Sequence, residues 1–481
     1  MNWRDDRNLT MLADFYEFTM ANGYLENDMQ DLIAYFELYF RTVPDNGGFA
    51  IAAGLEQAIE YIQNLKFTKE DIDYFNTKSI FSSKFIKFLE DFEFCCDIWA
   101  MPEGRVVFPG EPMVIVRGPV VQAQMIETML LLLINHQSLI ATKANRIVRA
   151  SQGRTVMEFG SRRAQGADAA NYGARAAYIG GVVGTANTMA DRDFGVPALG
   201  TMAHSWVQLF PTEIEAFKAY ARVFPNDCVL LVDTYNTLKS GVPNAIKTFD
   251  EILKPLGKRP KGIRLDSGDI AYLSKNARKL LDEAGYEDCP IVASSSLDEY
   301  KIRDMLLQGS ELDAFGVGER LITSKSSPVF GGVYKLVAIE QDGKIIPKIK
   351  ISENIEKITT PGFKNVYRIY DRNTGKAEAD LITLHDEEID DSKELEIFHP
   401  IHTWKRKKIN DFYSEKLMVK VFDKGNLIYD LPELDDIKSF CKREVDSMWD
   451  EVKRFEFPHK YIVDLSLDLW TIKDKMLEEN S

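Results

Sequence analysis

Four short segments of the chain combine arginine, histidine, aspartate or glycine in patterns that suit the binding or conversion of a small anion. In the first, two neighbouring arginines, Arg162 and Arg163, follow Phe159-Gly160-Ser161. Arginine presents a planar fork of N–H donors that matches the oxygens of carboxylates and phosphates. We therefore predict that this pair binds an anion. A solvated basic turn is the alternative interpretation of two adjacent arginines.

Histidine is the reactive residue of the second segment, Gly200-Thr201-Met202-Ala203-His204-Ser205. The small neighbours of His204 leave room for a ligand beside its imidazole ring. An imidazole acts as a nucleophile or as a general acid or base near neutral pH. The hypothesis is that His204 has one of these roles, and the alternative is a structural histidine.

The third segment, Arg264-Leu265-Asp266-Ser267-Gly268-Asp269, has two carboxylates three positions apart. Such a pair can hold the diol of a ribose, or Mg²⁺ through bridging water. The alternative is that Asp269 or Ser267 caps the N-terminus of a helix that begins near Tyr272.

The fourth segment, residues 314–332, is rich in glycine, with Gly318 before Thr323 and Gly331 and Gly332 after it. Backbone amides of such loops commonly bind phosphate after the late strands of a barrel. The glycine spacing matches neither a Rossmann nor a Walker loop, so the pattern alone is a weak indication.

All four segments are predicted to follow strands or to include strand ends. From residue 154 onward, apolar runs typical of buried strands alternate with amphipathic helical patterns. The predicted helices are Glu213–Val223, Tyr272–Ala284 and Glu299–Leu307, and the predicted strands are Thr155–Phe159, Ala198–Ala203, Val229–Asp233, Gly262–Leu265, Ile291–Ser294 and Ala314–Val317. Strand ends recurring roughly every 30 residues are typical of βαβ units in a parallel sheet. In a (β/α) barrel, the loops after such strands meet on the face that binds ligands.

The N-terminal part mixes helix and strand patterns. A helical stripe that begins at Leu12 is expected to end at Gly23 in a left-handed cap, and Ala34–Phe40 is expected to form a strand. Residues 104–118 alternate around a Pro-Gly-Glu-Pro turn and predict a β-hairpin, and a long helix is expected over residues 122–150.

The composition narrows the class of protein. The 481 residues carry 59 Lys+Arg and 74 Asp+Glu, a net charge of −15, and 45% of them are hydrophobic. This argues for a folded core and against a general nucleic-acid binder or a membrane-surface protein, which need basic surfaces. The longest apolar run, Met129–Ile134, is too short to span a bilayer. The sparse, odd set of five cysteines and the lack of an apolar leader at Met1–Asp6 predict a cytoplasmic protein.

Together these segments resemble those of one family, nicotinate phosphoribosyltransferase. The resemblance extends over most of the chain and includes further motifs at Leu12–Ala21, Gly47–Leu55, Leu231–Tyr235, Gly331–Leu336 and Tyr461–Ser466. Because several independent motifs occur in the family's order, their combination is more specific than any one of them.

The resemblance implies a type II phosphoribosyltransferase fold. We expect an irregular, TIM-like (β/α) barrel over residues 146–340, joined to an α+β domain built from residues 1–145 and a C-terminal extension, residues 341–481. It also implies a homodimer with active sites shared at the interface. The implied reaction converts nicotinate, 5-phosphoribosyl 1-diphosphate, ATP and water to nicotinate mononucleotide, diphosphate, ADP and phosphate.

The resemblance also assigns roles to individual residues. His204 matches a histidine that ATP phosphorylates transiently; Tyr16, Thr201 and Arg264 match nicotinate contacts, and Thr323 matches a phosphoribosyl-diphosphate contact. Ser295-Ser296 and Glu319 depart from the family's pattern, which affects the expected binding of ribose and diphosphate.

The chemistry of the substrates is compatible with these roles. Attack of the pyridine nitrogen on the anomeric carbon requires the enzyme to position both partners and to neutralise the departing diphosphate. Tyr16 or Phe159 would stack on the nicotinate ring, while Arg264 or Arg163 would hold its carboxylate. The candidates for phosphoribosyl-diphosphate binding are Arg162, Asp269, Gly318, Thr323 and Gly332, and the catalytic candidates are His204 and Asp266, with Mg²⁺ expected near Asp266.

Two other classes of function are compatible with the sequence. A phosphoribosyltransferase acting on nicotinamide would face a neutral amide, and one acting on quinolinate is usually a much shorter chain that needs no ATP. A non-catalytic barrel that senses pyridine nucleotides is the other alternative, since a fold does not determine a function.

Overall fold

A computed structural model describes residues 7–480, which divide into two compact units. One unit combines the residues up to Leu139 with those from Val329 onward, and the other extends from Ile140 to Pro328. The boundaries between the units follow residues 139 and 328, whereas the sequence predicts domain boundaries after residues 145 and 340. The predicted lack of a leader at Met1–Asp6 lies outside the described residues. Within residues 7–480, no helix has the length and apolar character needed to cross a membrane.

The N-terminal segment of the first unit alternates helices and strands. Its elements are α1 (Phe15–Glu26), β1 (Ile33–Phe40), β2 (Ala50–Ile51), α2 (Leu55–Gln63), α3 (Lys69–Asn76), α4 (Ser83–Glu90), β3 (Asp97–Ala100), β4 (Val106–Val107), β5 (Val114–Pro119), α5 (Val120–Met125) and α6 (Glu127–Ala150), whose residues from Ile140 onward belong to the second unit. The long helix predicted over 122–150 is thus present, with a break at Ile126 between α5 and α6.

Two predictions for this segment are wrong. Gly23 does not end α1; the helix continues to Glu26 and is capped by Asn27. The predicted hairpin does not form either, because β5 pairs with β1 on one edge and β3 on the other, while β4 pairs with β2. Both edges of β5 are therefore taken by strands that lie outside residues 104–118.

The second unit is built on five parallel strands. Its elements are β6 (Thr155–Glu158), α7 (Ala167–Ile179), α8 (Thr188–Phe194), α9 (His204–Gln208), α10 (Glu213–Val223), β7 (Val229–Leu231), α11 (Val242–Thr248), β8 (Gly262–Leu265), α12 (Ile270–Glu283), β9 (Ile291–Ser294), α13 (Glu299–Leu307), β10 (Ala314–Val317) and α14 (Glu319–Ile322). The strand order is β6-β10-β9-β8-β7, with all neighbours parallel. The predicted α/β class with a parallel sheet is confirmed, although the pairings do not close this sheet into a ring.

One predicted strand of this unit is absent. Residues 198–203 make only a single parallel bridge, Ala198 with Thr185, which in turn bridges to Glu158 beside β6. Beyond Ala198 the backbone has no strand partner, and it turns into α9 at His204. His204 therefore begins a short helix and does not end a strand.

The residues from Val329 onward complete the first unit. Their elements are β11 (Gly332–Gln341), β12 (Lys344–Pro347), β13 (Lys364–Asp371), β14 (Ala377–Leu384), β15 (Leu395–Phe398), β16 (Arg406–Ile409), β17 (Phe412–Lys416), β18 (Val419–Asp423), β19 (Asn426–Leu427), α15 (Leu434–Ser447), β20 (Val463–Leu465) and α16 (Leu467–Glu479). Four of these strands join β1, β5 and β3 in a seven-stranded sheet of order β12-β11-β1-β5-β3-β18-β19. A second sheet, β17-β13-β14-β20, is made from the C-terminal segment alone.

Candidate functional site

The carboxyl ends of β7, β8 and β9 position a cluster of polar side chains in the second unit. Asp233 follows β7, and its Oδ2 accepts hydrogen bonds from the Asp266 N–H at 2.9 Å and from the Ser267 hydroxyl at 2.6 Å. Ser294, the last residue of β9, donates to Asp266 Oδ1. The loops after three neighbouring parallel strands are thereby held together. Sequence reasoning did not name Asp233 as a site residue, although an acid directly after a buried strand is the pattern that had pointed to Asp266.

His204 lies between the ends of β7 and β8. Its Nδ1 is 3.1 Å from the hydroxyl of Thr234, and its Nε2 is 3.7 Å from Asp266 Oδ2. The imidazole is 38% exposed and the Asp266 side chain 39% exposed, so both are accessible to a ligand. Two catalytic candidates from the sequence are thus brought together, and Thr234 is a contact that the sequence did not identify.

Arg264 and Thr201 also meet at this edge of the sheet. Arg264 Nη1 donates to the Thr201 hydroxyl, and Arg264 Nε is buried without a hydrogen-bond partner among residues 7–480. Burial lowers the pKa of the Arg264 guanidinium, while the neighbouring carboxylates of Asp266 and Asp233 oppose that shift. A guanidinium in this setting retains its charge and has donors left for an anion.

Arg162 and Arg163 lie in a short 3₁₀ turn, Ser161–Arg163, after β6, and both are exposed. The charge of Arg162 contributes to the lowered pKa of Arg264. The pKa of the Glu319 carboxyl is lowered, chiefly by its hydrogen bond with Lys325 at 2.6 Å and to a smaller extent by Arg163. Arg162 is therefore close enough to act electrostatically on Arg264, and Arg163 on Glu319.

Phe159 and the glycines of the fourth segment pack closely together. A Cβ atom on Gly316 would lie 2.5 Å from Cδ2 of Phe159, so the ring of Phe159 rests on the glycine backbone. Gly318 is the N-cap of α14, and the hydroxyl of Thr323 donates to the Glu319 carbonyl at 2.7 Å. The close contact accounts for Gly316 on packing grounds.

Asp269 has a structural partner. Its Oδ1 accepts the backbone N–H of Tyr272 at 3.0 Å and caps α12. The capping alternative that the sequence offered is therefore confirmed, and the phosphoribosyl-diphosphate role of Asp269 stays a prediction.

Tyr16 and Gly332 belong to the other unit. Tyr16, on α1, is 43% exposed, and its pKa is raised by burial and by the adjacent Glu127. The Gly332 N–H donates to Asn135 Oδ1 at 3.0 Å, and a Cβ there would lie 2.2 Å from that oxygen. The sequence predicts that the Gly332 N–H binds phosphate. In the structure this N–H already donates to a side chain of the first unit.

Two consecutive serines after β9 have an unusual backbone. Ser295 and Ser296 have φ values of 113° and 48°, in the region that favours glycine. Non-glycine residues in this region are strained and are frequent at ligand sites. These serines follow Ser294, which binds Asp266, so the departure from the family's pattern lies next to the polar cluster.

The chain matches three family profiles that together cover most of its length. These are the nicotinate phosphoribosyltransferase N-terminal domain over residues 11–135, the nicotinate phosphoribosyltransferase family over 155–388, and the nicotinate phosphoribosyltransferase C-terminal domain over 363–473.

Individual relatives agree with these matches. The nicotinate phosphoribosyltransferase of Bacillus subtilis is 47% identical over 476 residues, covering 98% of this chain and 96% of that protein. The mouse nicotinate phosphoribosyltransferase is 30% identical, covering 97% and 96% of the two chains. The crystal structure of human nicotinic acid phosphoribosyltransferase superposes with a TM-score of 0.85 at 28% identity, covering 96% of this chain and 99% of that chain. A nicotinate-nucleotide pyrophosphorylase from Pyrococcus furiosus, 22% identical with a TM-score of 0.70, covers 92% and 96% of the chains and shares the fold.

Proposed function

The chain belongs to the nicotinate phosphoribosyltransferase family and is a transferase of NAD biosynthesis from nicotinate, and on this premise we propose that ATP hydrolysis is coupled to the transfer through His204. The substrates joined are nicotinate and 5-phosphoribosyl 1-diphosphate. The observation that carries the proposal is the position of the imidazole, between the Thr234 hydroxyl and the Asp266 carboxylate.

This position leaves one imidazole nitrogen as a nucleophile. When Nδ1 carries the proton and donates it to Thr234, the lone pair of Nε2 is free to attack the γ-phosphorus of ATP. A nitrogen–phosphorus bond forms, the bond to the bridging oxygen breaks, and ADP leaves. Water later hydrolyses the phosphohistidine, returning the neutral imidazole and releasing phosphate.

The transfer step uses the remaining polar groups. The pyridine nitrogen of nicotinate attacks the anomeric carbon as the bond from that carbon to the diphosphate oxygen breaks. Arg264, with Thr201 beside it, holds the nicotinate carboxylate, and the carboxylate of Asp266 stabilises the positive charge that develops on the ribose ring. Arg162 and Arg163 neutralise charge on the departing diphosphate. Phe159 and Gly318 directly follow β6 and β10, and Thr323 is the C-cap of α14.

The carboxylates that follow β7 and β8, Asp233 and Asp266, fit a magnesium site. No group of three or more potential metal-ligating side chains occurs among residues 7–480. Mg²⁺ commonly uses only one or two protein carboxylates together with substrate phosphates and water. Asp266, and Asp233 with its buried, unpartnered Oδ1, provide that donor chemistry. When bound there, Mg²⁺ would neutralise negative charge on the diphosphate.

The choice of nicotinate over nicotinamide follows from the charge of the site. A guanidinium with free donors favours a carboxylate over a neutral amide, because only the carboxylate offers two charged acceptors. The buried Nε of Arg264 supports this preference.

Three further features belong to the same proposal. We propose that the parallel sheet curves into an incomplete barrel, supported by the bridges that extend it beyond β6 through Thr185 to Ala198. We propose a homodimer with shared active sites, supported by the exposed apolar side chains of Phe15, Tyr16 and Met20 on α1. All five cysteines are free, which supports a reducing, cytoplasmic location.

The experiment is product formation by the purified full chain with nicotinate and 5-phosphoribosyl 1-diphosphate, with and without ATP. We expect nicotinate mononucleotide, with ADP release that disappears in His204→Asn while basal, ATP-independent transfer remains. Turnover of nicotinamide in place of nicotinate would contradict the substrate assignment. ADP release that persists unchanged in His204→Asn would contradict the phosphohistidine.

A further inference from the structure

The first unit contains a cleft of about 950 Å³ that the proposed reaction does not use. Its walls are the loop after β1, the segment between β15 and β16, and the segment that leads into β20. None of the residues assigned to the reaction lines it. A cavity of this size accommodates a ligand as large as a nucleotide.

Positive charge is concentrated on these walls. The basic side chains are Arg41, Lys405, Arg406, Lys407 and Lys460, and the carboxylate among the lining residues is Asp464. Arg406 and Lys407 are paired with Glu396 and Glu378. Lys405 and Lys460, by contrast, form no ion pair with any carboxylate in residues 7–480. In a chain with a net charge of −15, such a local excess of unpaired cations favours a phosphorylated ligand.

A flat aromatic surface lies beside these cations. Trp404 lines the cleft and is 76% exposed, which is unusual for the largest apolar side chain. The ammonium group of Lys405 is 5.2 Å from the centroid of its ring. An exposed indole next to unpaired cations suits a ligand that combines a planar base with a phosphate.

The turn that carries Trp404 and Lys405 is fixed by its own hydrogen bonds. His399 Nδ1 accepts the backbone N–H groups of Ile401 at 3.1 Å and His402 at 3.0 Å. The His399 N–H donates to the Lys405 carbonyl at 3.0 Å, and the Lys405 N–H donates to the His402 carbonyl at 2.8 Å. A surface that is ordered before a ligand arrives loses less conformational entropy on binding.

The loop after β1 forms another wall of the cleft and is tied to the C-terminal segment. A Cβ atom on Gly48 would lie 2.0 Å from the carbonyl oxygen of Val452, so only glycine allows this approach. Asn46 and Gly47 of this loop line the cleft together with Arg41. Backbone packing at Gly48 therefore fixes the end of this loop against the C-terminal segment.

We propose that this cleft binds a nucleotide, with its base against Trp404 and its phosphate near Lys405, Lys460 and Arg41. Asp464, the lining carboxylate, is available to accept the hydroxyls of a ribose. None of the residues that line this cleft belongs to the polar cluster around His204, and the proposal does not depend on the ATP-coupled reaction.

The test measures binding of AMP to the full chain by equilibrium dialysis. The double variant Lys405→Glu/Lys460→Glu is compared with Lys442→Glu/Lys475→Glu, which makes the same charge change at exposed lysines on α15 and α16. We expect the first double variant to weaken AMP binding at least about tenfold, and the second to change it less than about twofold. Trp404→Ala should weaken AMP binding about fivefold and abolish AMP-induced quenching of tryptophan fluorescence.

Adenosine and inorganic phosphate, the two parts of AMP, are measured separately. Adenosine and inorganic phosphate should each bind more weakly than AMP, and Trp404→Ala should affect adenosine but not phosphate. Turnover of saturating nicotinate and 5-phosphoribosyl 1-diphosphate should be equal in the wild type and the cleft variants.

Three outcomes would overturn the proposal. In the first, AMP binds equally well to both double variants. In the second, the cleft variant loses AMP binding and turnover together, which would make the cleft part of the reaction site. In the third, the cleft variant halves the molar mass in light scattering, which would make the cleft a face for a second copy of this chain. A wild type without nicotinate turnover would contradict the proposed function and leave the AMP comparison intact.

Discussion

Two clusters of charged side chains, one in each unit, differ in how completely they are paired. In the second unit, Arg264 makes one side-chain hydrogen bond, to Thr201, and His204 and Asp266 are more than a third exposed. In the first unit, Arg368 is fully buried and donates four hydrogen bonds. Arginine and aspartate in the second unit therefore keep hydrogen-bond donors and acceptors free, whereas in the first unit their partners are supplied by the protein.

The buried cluster links the two ends of the chain. Arg368 on β13 binds both carboxylate oxygens of Asp380 on β14, at 2.9 and 2.7 Å, and binds Glu444 on α15 at 2.8 Å. Glu444 also binds Arg105, which comes from the N-terminal segment, at 3.1 Å. Burial on this scale is tolerated only because each charge meets opposite charges and hydrogen-bond donors or acceptors.

The comparison shows which charges are expected to be functional. A charge whose partners are supplied by the fold stabilises the fold, and removing one partner leaves the others buried and unpaired. A charge with free donors or acceptors at an accessible strand end is paired only when a ligand arrives. Three predictions test this distinction, beginning with the largest expected effect.

Arg368→Met should lower the free energy of unfolding by about 3–5 kcal/mol, because it leaves Asp380 buried without its cation and Glu444 with Arg105 as its remaining cation. Turnover per folded molecule should not change. Urea unfolding and initial rates on the same preparation measure both quantities. Lys442→Met, at an exposed ion pair with Asp446, is the control and should cost less than about 1 kcal/mol. A loss below that value in Arg368→Met would show that the cluster is not stabilising.

Thr234→Val should slow ATP-coupled turnover about fivefold, because it removes the hydrogen bond of roughly 1 kcal/mol that orients His204. Thr234→Ser keeps the hydroxyl and should retain most of the rate. The ratio of ADP formed to nicotinate mononucleotide formed separates coupling from transfer, and urea unfolding should be unaffected by either change. Equal rates in the valine and serine variants would remove Thr234 from the mechanism.

The third prediction concerns a buried carboxyl group in the first unit. Burial raises the pKa of Glu17 on α1 to about 7, although Thr128 donates to it through its backbone and hydroxyl. The folded state then holds a proton that the unfolded state has lost above its ordinary pKa of 4.5. The free energy of unfolding should therefore fall as the pH rises from 4.5 to 7.

In Glu17→Gln, this decline should be smaller by on the order of 1 kcal/mol, since the amide does not ionise. Urea unfolding at several pH values measures the slope, and Glu70→Gln on the surface of α3 is the matched control. An unchanged slope in Glu17→Gln would show that Glu17 is ionised in the folded state throughout this range.

Much of the second unit could be predicted from the sequence, because its signals are local. Strands β8, β9 and β10 occur over the predicted residues, since each is a short apolar run followed at once by polar residues or glycine. The strand ends at Arg264 and Asp266 follow directly from this pattern. Residues 198–203 are also predicted to form a strand, but beyond Ala198 no strand pairs with them.

The contacts within the site could not be predicted in the same way. Asp233 and Asp266 are 33 positions apart, and their hydrogen bond depends on the pairing of β7 with β8. The left-handed conformation of Ser295 and Ser296 has no local signal either, since serine does not favour positive φ. The predicted hairpin is absent because β5 pairs with β3 and β1, both outside residues 104–118, while β4 pairs with β2.

The sheet order β12-β11-β1-β5-β3-β18-β19 has a consequence for synthesis of the chain. Strand β1 emerges from the ribosome early but needs β11, whose residues begin at Gly332, on one of its edges. The residues of the second unit are contiguous and are all synthesised before that strand. Because domains generally fold as units during translation, the second unit can fold while β1 still has an open edge. The unit whose synthesis begins first is therefore the last to be completed.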